Sequence, residues 1–302
     1  MKMLLQPLKK CHTSFTTVRR SLVTYSTGLD GKVGIITLNN PTKLNALTEP
    51  MGEALAEVIT KVHKDLPRAV IVTGAGRAFS AGGDLDWLMK RHNDSPANNV
   101  NVMLKFYKKF LILRNLQVPV IAAMNGPAIG AGLALAVGGC DMRVASPKAS
   151  MGFTFTRLGL HPGMAALHFA PQLVGSAMAA DILLSGRVFS AQEAKDMGLV
   201  NRISEDALAA SLTMAEEICQ AAPQAVETTL MTLRKLQEAN GLGLEVSDLY
   251  YRHTNITGVT SFLFQNAMES DAHYQAKTYN TEDLAEGVTA LKEKRSPEFT
   301  GH

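Results

Sequence analysis

The fold is decided by the stretch from Pro119 to Gly163, which reads PVIAAMNGPAIGAGLALAVGGCDMRVASPKASMGFTFTRLGLHPG. Its first apolar run, Val120 to Met124, follows a proline and predicts a buried strand. Asn125-Gly126-Pro127 ends that strand, and Gly130-Ala131-Gly132 then leads into an apolar segment that predicts a buried helix. Free N–H groups at a helix start favour negative charge, although a tight strand-to-helix packing turn has the same pattern.

A second strand-to-helix turn lies earlier in the chain. The β-branched run from Ala69 to Thr73 predicts a buried strand, and it is followed by GAGRAFSAGGDL, which spans Gly74 to Leu85. Two such turns can direct two backbone N–H groups at one carbonyl oxygen, which is the geometry of an oxyanion hole.

The motifs around these turns resemble those of the crotonase (enoyl-CoA hydratase/isomerase) superfamily. RAFSAGGDL, PVIAAMNGPAIGAGLALA, CDMRVAS, LGLHPG and EGVTALKEKR occur in the family's order, and the resemblance covers roughly residues 25 to 300. It implies an α/β fold, a crotonase-like spiral of ββα units with a C-terminal helical subdomain. It also implies a homotrimer or a dimer of trimers and acyl-CoA thioester substrates, with coenzyme A as part of the substrate and no separate cofactor.

The resemblance assigns roles to individual positions. It implies that the backbone N–H groups of Gly83 and Ala131 form the oxyanion hole. It also implies that four residues contact the CoA part of the substrate, namely Lys43, Ala81, Asp84 and Lys294. Other interpretations stay open, because Lys43 and Lys294 also fit ordinary surface lysines and Asp84 also fits a helix N-cap.

The two glutamates that hold water in hydratases of this family are missing. The family's positions are occupied here by Ala134 and Phe155, and neither side chain has a proton to move. We therefore do not assign the two-glutamate hydration mechanism. His161 is the nearest ionisable replacement in the sequence, unless it only caps or packs a turn, and Asp84 and Asp86 follow the first turn.

Three hypotheses about function remain. The first is an enoyl-CoA hydratase or isomerase with replacement acid and base groups. The second is a decarboxylase of a β-carboxyl acyl-CoA, which needs little beyond the oxyanion hole because loss of CO₂ itself produces the enolate. The third is an acyl-CoA binder without catalysis.

Composition and charge narrow the class of protein. The chain has 302 residues, a hydrophobic fraction of 46% and a net charge of +3, so a sizeable core is expected.

The sequence gives no sign of a metal site or of disulfides, because Cys11, Cys140 and Cys219 show neither a metal-ligand spacing nor a disulfide pattern. A predicted helix from Val102 to Leu116 carries several lysines, which we interpret as a solvated face and not as a nucleic-acid site. We expect no metal, nucleic-acid partner or membrane association.

The N-terminal segment differs in composition from the rest. Residues 1 to about 27 contain lysine, arginine, serine and threonine, and no acidic residue occurs before Asp30. This composition predicts a transit peptide for the mitochondrial matrix, or else an unstructured basic tail of a cytosolic protein.

We expect the crotonase core at residues 28–204 and a C-terminal helical trimerisation region at 205–302. Residues of about 244–264 depart from the family pattern. We interpret them as an insertion, which is either a genuine loop or a translated intron.

Local signals predict several elements. A hairpin is expected from Val23 to Asn40, and helices are expected to begin after Thr48, Ser190 and Thr281. Trp87 and Met89 are candidates for an acyl pocket or for the core.

Overall fold

The part of the chain that this computed structural model describes, residues 21–239 and 257–300, contains nine strands in two sheets, eleven α-helices and three short 3-10 helices. The strands are β1 (Val23–Gly28), β2 (Val33–Leu38), β3 (Ala69–Gly74), β4 (Val120–Met124), β5 (Ala128–Ile129), β6 (Met142–Ala145), β7 (Ser150–Gly152), β8 (Phe189–Ser190) and β9 (Arg202–Ile203). The helices are α1 (Glu49–Asp65), α2 (Leu85–His92), α3 (Pro96–Leu111), α4 (Ala131–Gly138), α5 (Ala166–Val174), α6 (Ser176–Leu184), α7 (Ala191–Asp196), α8 (Ala207–Cys219), α9 (Pro223–Ala239), α10 (Thr257–Tyr279) and α11 (Glu282–Glu293).

The larger sheet has the strand order β1-β2-β3-β4-β6-β9, and the smaller has the order β5-β7-β8. In the larger sheet only the β1–β2 pair is antiparallel among the described strands. All residues of β3 and β4 are buried, because both faces of this parallel sheet are covered. Ile71 and Ile121 face a small cluster with α8, whereas Val70 and Val72 face the main core.

Helix α4 lies inside the molecule, where all eight of its residues are buried. A helix without a polar face suits this position because it is surrounded by apolar neighbours on every side. The C-terminal helices return to the first half of the chain: α10 packs along α3, and α11 packs against α2. The walls of any cavity between these layers therefore come from distant parts of the sequence.

Most local predictions are confirmed. Strands β1 and β2 form the expected hairpin, with Val23 opposite Leu38. The side chains of Thr48, Ser190 and Thr281 each accept a backbone hydrogen bond at the start of a helix. Helix α3 begins earlier than the predicted Val102, because Ser95 caps it and Pro96 occupies its first turn.

The expected N-terminal boundary needs correction. Val23 is buried and β1 pairs with β2 along its whole length, so the fold begins before residue 27, the limit set by composition. Composition is a poor guide here because β1 is itself rich in serine and threonine and has no acidic residue, like the segment that precedes it. The rest of the predicted transit segment, residues 1–20, lies outside the described residues. So do residues 240–256 of the departing region, whereas residues 257–264 open α10.

Within the described ranges, no helix has both the length and the apolar character that are needed to cross a membrane.

Gly132, at the start of α4, allows the two strand-to-helix turns to approach. A Cβ atom at this position would lie 2.5 Å from the Ser80 carbonyl oxygen and 2.8 Å from the Ser80 Cβ. We expect Gly132→Ala to lower the free energy of unfolding by about 1–3 kcal/mol through overpacking, measured by urea denaturation. Gly28→Ala is the matched control, because the nearest atom to its added Cβ would be 3.5 Å away. Equal stabilities of the two variants would contradict this account of the turns.

Candidate active site

The two turns that the sequence singled out are hydrogen-bonded to each other. The Ser80 N–H donates to the Pro127 carbonyl at 3.1 Å, and the Ile129 N–H donates to the Ser80 carbonyl at 3.0 Å. Ser80 and Ala128 thus form an isolated parallel bridge. The contact follows from topology, because β3 and β4 are neighbouring parallel strands and their carboxyl ends lie at the same edge of the sheet.

Two amide side chains, from the buried Asn45 and the partly buried Asn125, hold the first turn in place. The Asn45 amide donates to the carbonyls of Ala75 and Ala78 at 2.9 and 2.8 Å. The Asn125 amide donates to the Gly76 carbonyl at 2.9 Å, while its oxygen accepts from the Gly74 N–H at 3.2 Å. A turn fixed by this many hydrogen bonds presents its remaining backbone groups in one orientation.

The N–H groups of Gly83 and Ala131 take no part in this hydrogen-bond network. Within the described residues, neither of them donates a hydrogen bond to another protein group. They belong to adjacent turns, since a Cβ atom on Gly82 (φ 91°) would lie 3.3 Å from the Ala131 nitrogen. Gly83 and Ala131 both line one cavity of about 410 Å³. The structure therefore brings together the two residues that the resemblance pairs.

The inner part of this cavity is apolar and aromatic. Its most deeply buried walls are Leu88, Met103, Phe106, Tyr107, Phe155, Leu160, Met164, Gln275 and Tyr279. Trp87 also lines it, stacked on Phe106 with ring centroids 4.8 Å apart. Trp87 thus takes the acyl-pocket position that we considered, whereas Met89 does not line the cavity.

Sequence reasoning missed the polar residues of the inner wall. Tyr107 lies on α3 at helical spacing from Met103 and Phe110, and this pattern indicates core packing. Gln275 and Tyr279 lie on α10, and no local motif marks them. Only the packing of α10 along α3 brings the three side chains together.

Charged groups are found at the mouth of the cavity. Asp84 accepts the Trp87 N–H at 3.0 Å as the N-cap of α2, and its carboxylate lies 4.0 Å from the Lys43 ammonium. Asp86 pairs with Lys292 at 2.9 Å across the entrance, and the hydrogen bond from this lysine lowers the Asp86 pKa. The side chains of Lys43, Asp86 and Lys292 are 60%, 68% and 49% exposed, so they meet solvent and the entering ligand first.

The remaining predicted residues lie in different places. Ala81 lines the cavity, and its N–H donates to the Leu44 carbonyl at 2.9 Å. Lys294 is exposed at the C-terminus of α11 and does not line the cavity, where Lys292 is found instead. Lys294 is itself the left-handed residue that ends the helix (φ 58°), and its contact with CoA stays a prediction.

His161 does not line the cavity either. Its ring packs against Tyr274 with centroids 5.2 Å apart, and burial lowers its pKa. Its backbone is held by Thr278 and Gln275 of α10, and its role as a base stays a prediction. Ala134 is fully buried within α4, while Phe155 is part of the cavity wall.

Three side chains of α10 hold the loop that runs from His161 to Ala165. Asp271 accepts the Ala165 N–H at 2.8 Å, Gln275 donates to the His161 carbonyl at 2.8 Å, and the Thr278 hydroxyl accepts the His161 N–H at 3.1 Å. Their spacing places them on one helix face. Because Met164 and Ala165 both adopt positive φ angles, near 58° and 57°, this loop needs outside support.

The described residues contain no group of three or more His, Cys, Asp or Glu side chains that is arranged to hold a metal ion.

The fold and the site together define an α/β protein with a deep apolar cavity, two free backbone N–H groups on its wall and lysines at its entrance. The chain belongs to the enoyl-CoA hydratase/isomerase family, whose model matches residues 29–302. This is the family that the sequence motifs indicated.

Individual relatives support this assignment. The chain is 33% identical over 271 residues to the 1,2-epoxyphenylacetyl-CoA isomerase of Escherichia coli, with 88% of this chain and 94% of the relative covered. It is 37% identical over 225 residues to the "Probable enoyl-CoA hydratase EchA14" of Mycobacterium tuberculosis, covering 74% and 86%. A crystal structure of an enoyl-CoA hydratase/isomerase from Pseudoalteromonas atlantica superposes with a TM-score of 0.71 at 32% identity, covering 92% and 100%.

The Asp271 carboxyl group gives the loop contact a pH dependence. Burial raises the pKa of Asp271 to about 7. Between a pKa near 4 in the unfolded chain and about 7 in the folded one, the folded state holds a proton that the unfolded state has lost. This group therefore makes stability fall as the pH rises from 4 to 7.

We expect Asp271→Asn to flatten the pH dependence of Tm between pH 4 and 7, because the amide cannot titrate in this range. Asp196→Asn, a change at an exposed carboxylate, serves as the control and should leave the wild-type profile in place. An unchanged profile in Asp271→Asn would mean that this carboxyl group does not titrate near neutral pH.

Proposed function

We propose that the protein is an acyl-CoA enzyme that binds the thioester oxygen between the N–H groups of Gly83 and Ala131. The carrying observation is that these two N–H groups are unpaired within the described residues and border the same cavity. Such donors stabilise the negative oxygen of a thioester enolate, and they act strongly in a cavity with apolar walls because water does not screen them.

The entrance supports a CoA thioester as the ligand. Lys43 and Lys292 border the mouth, and lysine ammonium groups are suited to the phosphates of CoA. The acyl group would then enter the apolar interior. Lys292 must exchange its contact with Asp86 for a phosphate, which costs little because exposed ion pairs are weak.

The source of acid and base chemistry is the main question for a hydratase or isomerase. Ala134 and Phe155 replace the pair of glutamates that the resemblance implies, and His161 does not line the cavity. Asp84 already caps α2, and Asp86 is paired at the entrance. Among the described cavity residues, only Asp84 and Asp86 have carboxylates, so a hydratase or isomerase that takes its base from them would have to release one of them from its present contact.

Decarboxylation of a β-carboxyl acyl-CoA is the second candidate, and the same observation favours it. Breaking the bond between the α-carbon and the carboxylate releases CO₂ and leaves its electron pair as the thioester enolate, so no base is needed. A proton then has to reach the α-carbon, from solvent or from a hydroxyl group. The two N–H groups suffice to stabilise the intermediate.

A panel of acyl-CoAs, followed by mass spectrometry and chromatography, separates these functions. Addition of water indicates a hydratase, loss of CO₂ a decarboxylase, and unchanged mass with altered retention an isomerase. Binding without any conversion would leave an acyl-CoA binder, and failure to bind any acyl-CoA would contradict the proposal.

The N–H donor itself can be removed with Ala131→Pro. Ala131 is the first residue of α4, where proline is tolerated, so the helix should persist. We expect a loss of turnover of about 10²–10³-fold, the usual effect of removing one such donor. Ala191→Pro, at the first residue of α7, is the control and should keep wild-type turnover. Full activity in Ala131→Pro would show that this N–H group takes no part.

We also propose the homotrimer or dimer of trimers and the mitochondrial matrix, as the sequence predicts. Exposed apolar side chains on α9, such as Leu233 at 54% exposure, are compatible with a subunit contact. Analytical ultracentrifugation tests the assembly, and a monomer at micromolar concentration would contradict it. The mass of the mature protein from its native organelle tests the transit segment.

A further inference from the structure

The two ends of the cavity differ in charge and in exposure. Its charged residues Lys43, Asp86 and Lys292 are well exposed, whereas Met103, Tyr107 and Tyr279 on its inner walls are almost completely buried. If the proposed function holds, the polar CoA part stays at the entrance and the acyl group points inward. The inner residues then decide which acyl group is accepted.

Two polar residues of the inner wall already have good hydrogen-bond partners. The Tyr107 hydroxyl donates to the Gln275 amide oxygen and has a backbone hydrogen bond with Met164. The Gln275 amide nitrogen donates to the His161 carbonyl at 2.8 Å. These groups hold the wall together, and drawing either of them towards a ligand would break a short hydrogen bond.

The Tyr279 hydroxyl is different. Its contacts are the Met103 sulfur at 3.3 Å and the Gln275 amide oxygen at 3.4 Å. A thioether is a weak acceptor, and the amide oxygen is already used by Tyr107. The contact with the amide oxygen is also long, since a hydroxyl donor prefers distances near 2.7–2.8 Å to an oxygen acceptor. A ligand oxygen would therefore offer this hydroxyl a better acceptor than the protein does.

We propose that Tyr279 is a specificity-determining residue that donates a hydrogen bond to a neutral oxygen atom on the acyl group. This inference rests on the proposed function and adds to it a substrate class, acyl-CoAs that carry a hydroxyl or carbonyl oxygen. The oxygen is neutral because the lysines among the described cavity residues are both at the entrance. A carboxylate at the inner end would be buried without a partner, at high cost.

The test is a binding experiment on the full-length protein. Acyl-CoAs of equal length that carry a hydroxyl group on successive carbons are compared with the unsubstituted acyl-CoA by isothermal titration calorimetry. We expect one hydroxylated ligand to bind the wild type about ten-fold more tightly than the unsubstituted one, the effect of one good hydrogen bond. Tyr279→Phe should abolish this advantage and bind the unsubstituted ligand as the wild type does.

Two further variants keep the test independent of stability. Met103→Leu removes the competing sulfur, so the preference for the hydroxylated ligand should persist or increase. Tyr107→Phe frees the Gln275 amide oxygen as an acceptor for Tyr279 and should therefore reduce the preference for the hydroxylated ligand. A preference that survives in Tyr279→Phe, or no preference in the wild type, overturns the inference while binding of the unsubstituted ligand upholds the proposed function. Failure of every acyl-CoA to bind overturns both.

Discussion

The structure depends on the bridge between the two strand-to-helix turns. Ser80 and Ala128 pair where β3 and β4 end, and this short pairing brings the N–H groups of Gly83 and Ala131 to one cavity. Neither turn achieves this alone, because each contributes one donor. Small residues are needed at the contact, since Gly132 lies against the Ser80 backbone with no room for a Cβ. The site is therefore a property of two adjacent parallel strands and not of either motif.

A second constraint comes from the C-terminal helices. Helix α10 holds the loop at 161–165 through Asp271, Gln275 and Thr278, and the same helix contributes Tyr279 to the cavity. Met164, in that loop, is another wall residue. The cavity's inner wall is thus complete only when the C-terminal part of the chain packs onto α3. Its shape is sensitive to residues more than a hundred positions away from the turns.

The sequence predicts those parts of the structure that depend on local chemistry. Caps such as Thr48 and the β1–β2 hairpin follow from short patterns, and the pairing of Gly83 with Ala131 follows from the motifs. Residues whose role depends on packing between distant helices were not predictable. Tyr107 has the spacing of a core residue, and His161 is close to the motif in sequence yet faces Tyr274. Proximity along the chain does not determine which side of a loop a side chain occupies.

The distribution of charge limits the chemistry that the cavity can perform. Charged side chains are at the entrance, where water screens them, while the described inner wall offers N–H and O–H donors and almost no free acceptor. Burial raises the pKa of both Tyr107 and Tyr279, so these hydroxyl groups stay protonated and act as donors. Such an interior suits the proposed binding of an anionic oxygen, and its described inner wall includes no carboxylate that could remove a proton from carbon. A reaction that forms the enolate without a base, or one in which the substrate itself carries the base, matches this interior better than a reaction that needs a carboxylate of the protein.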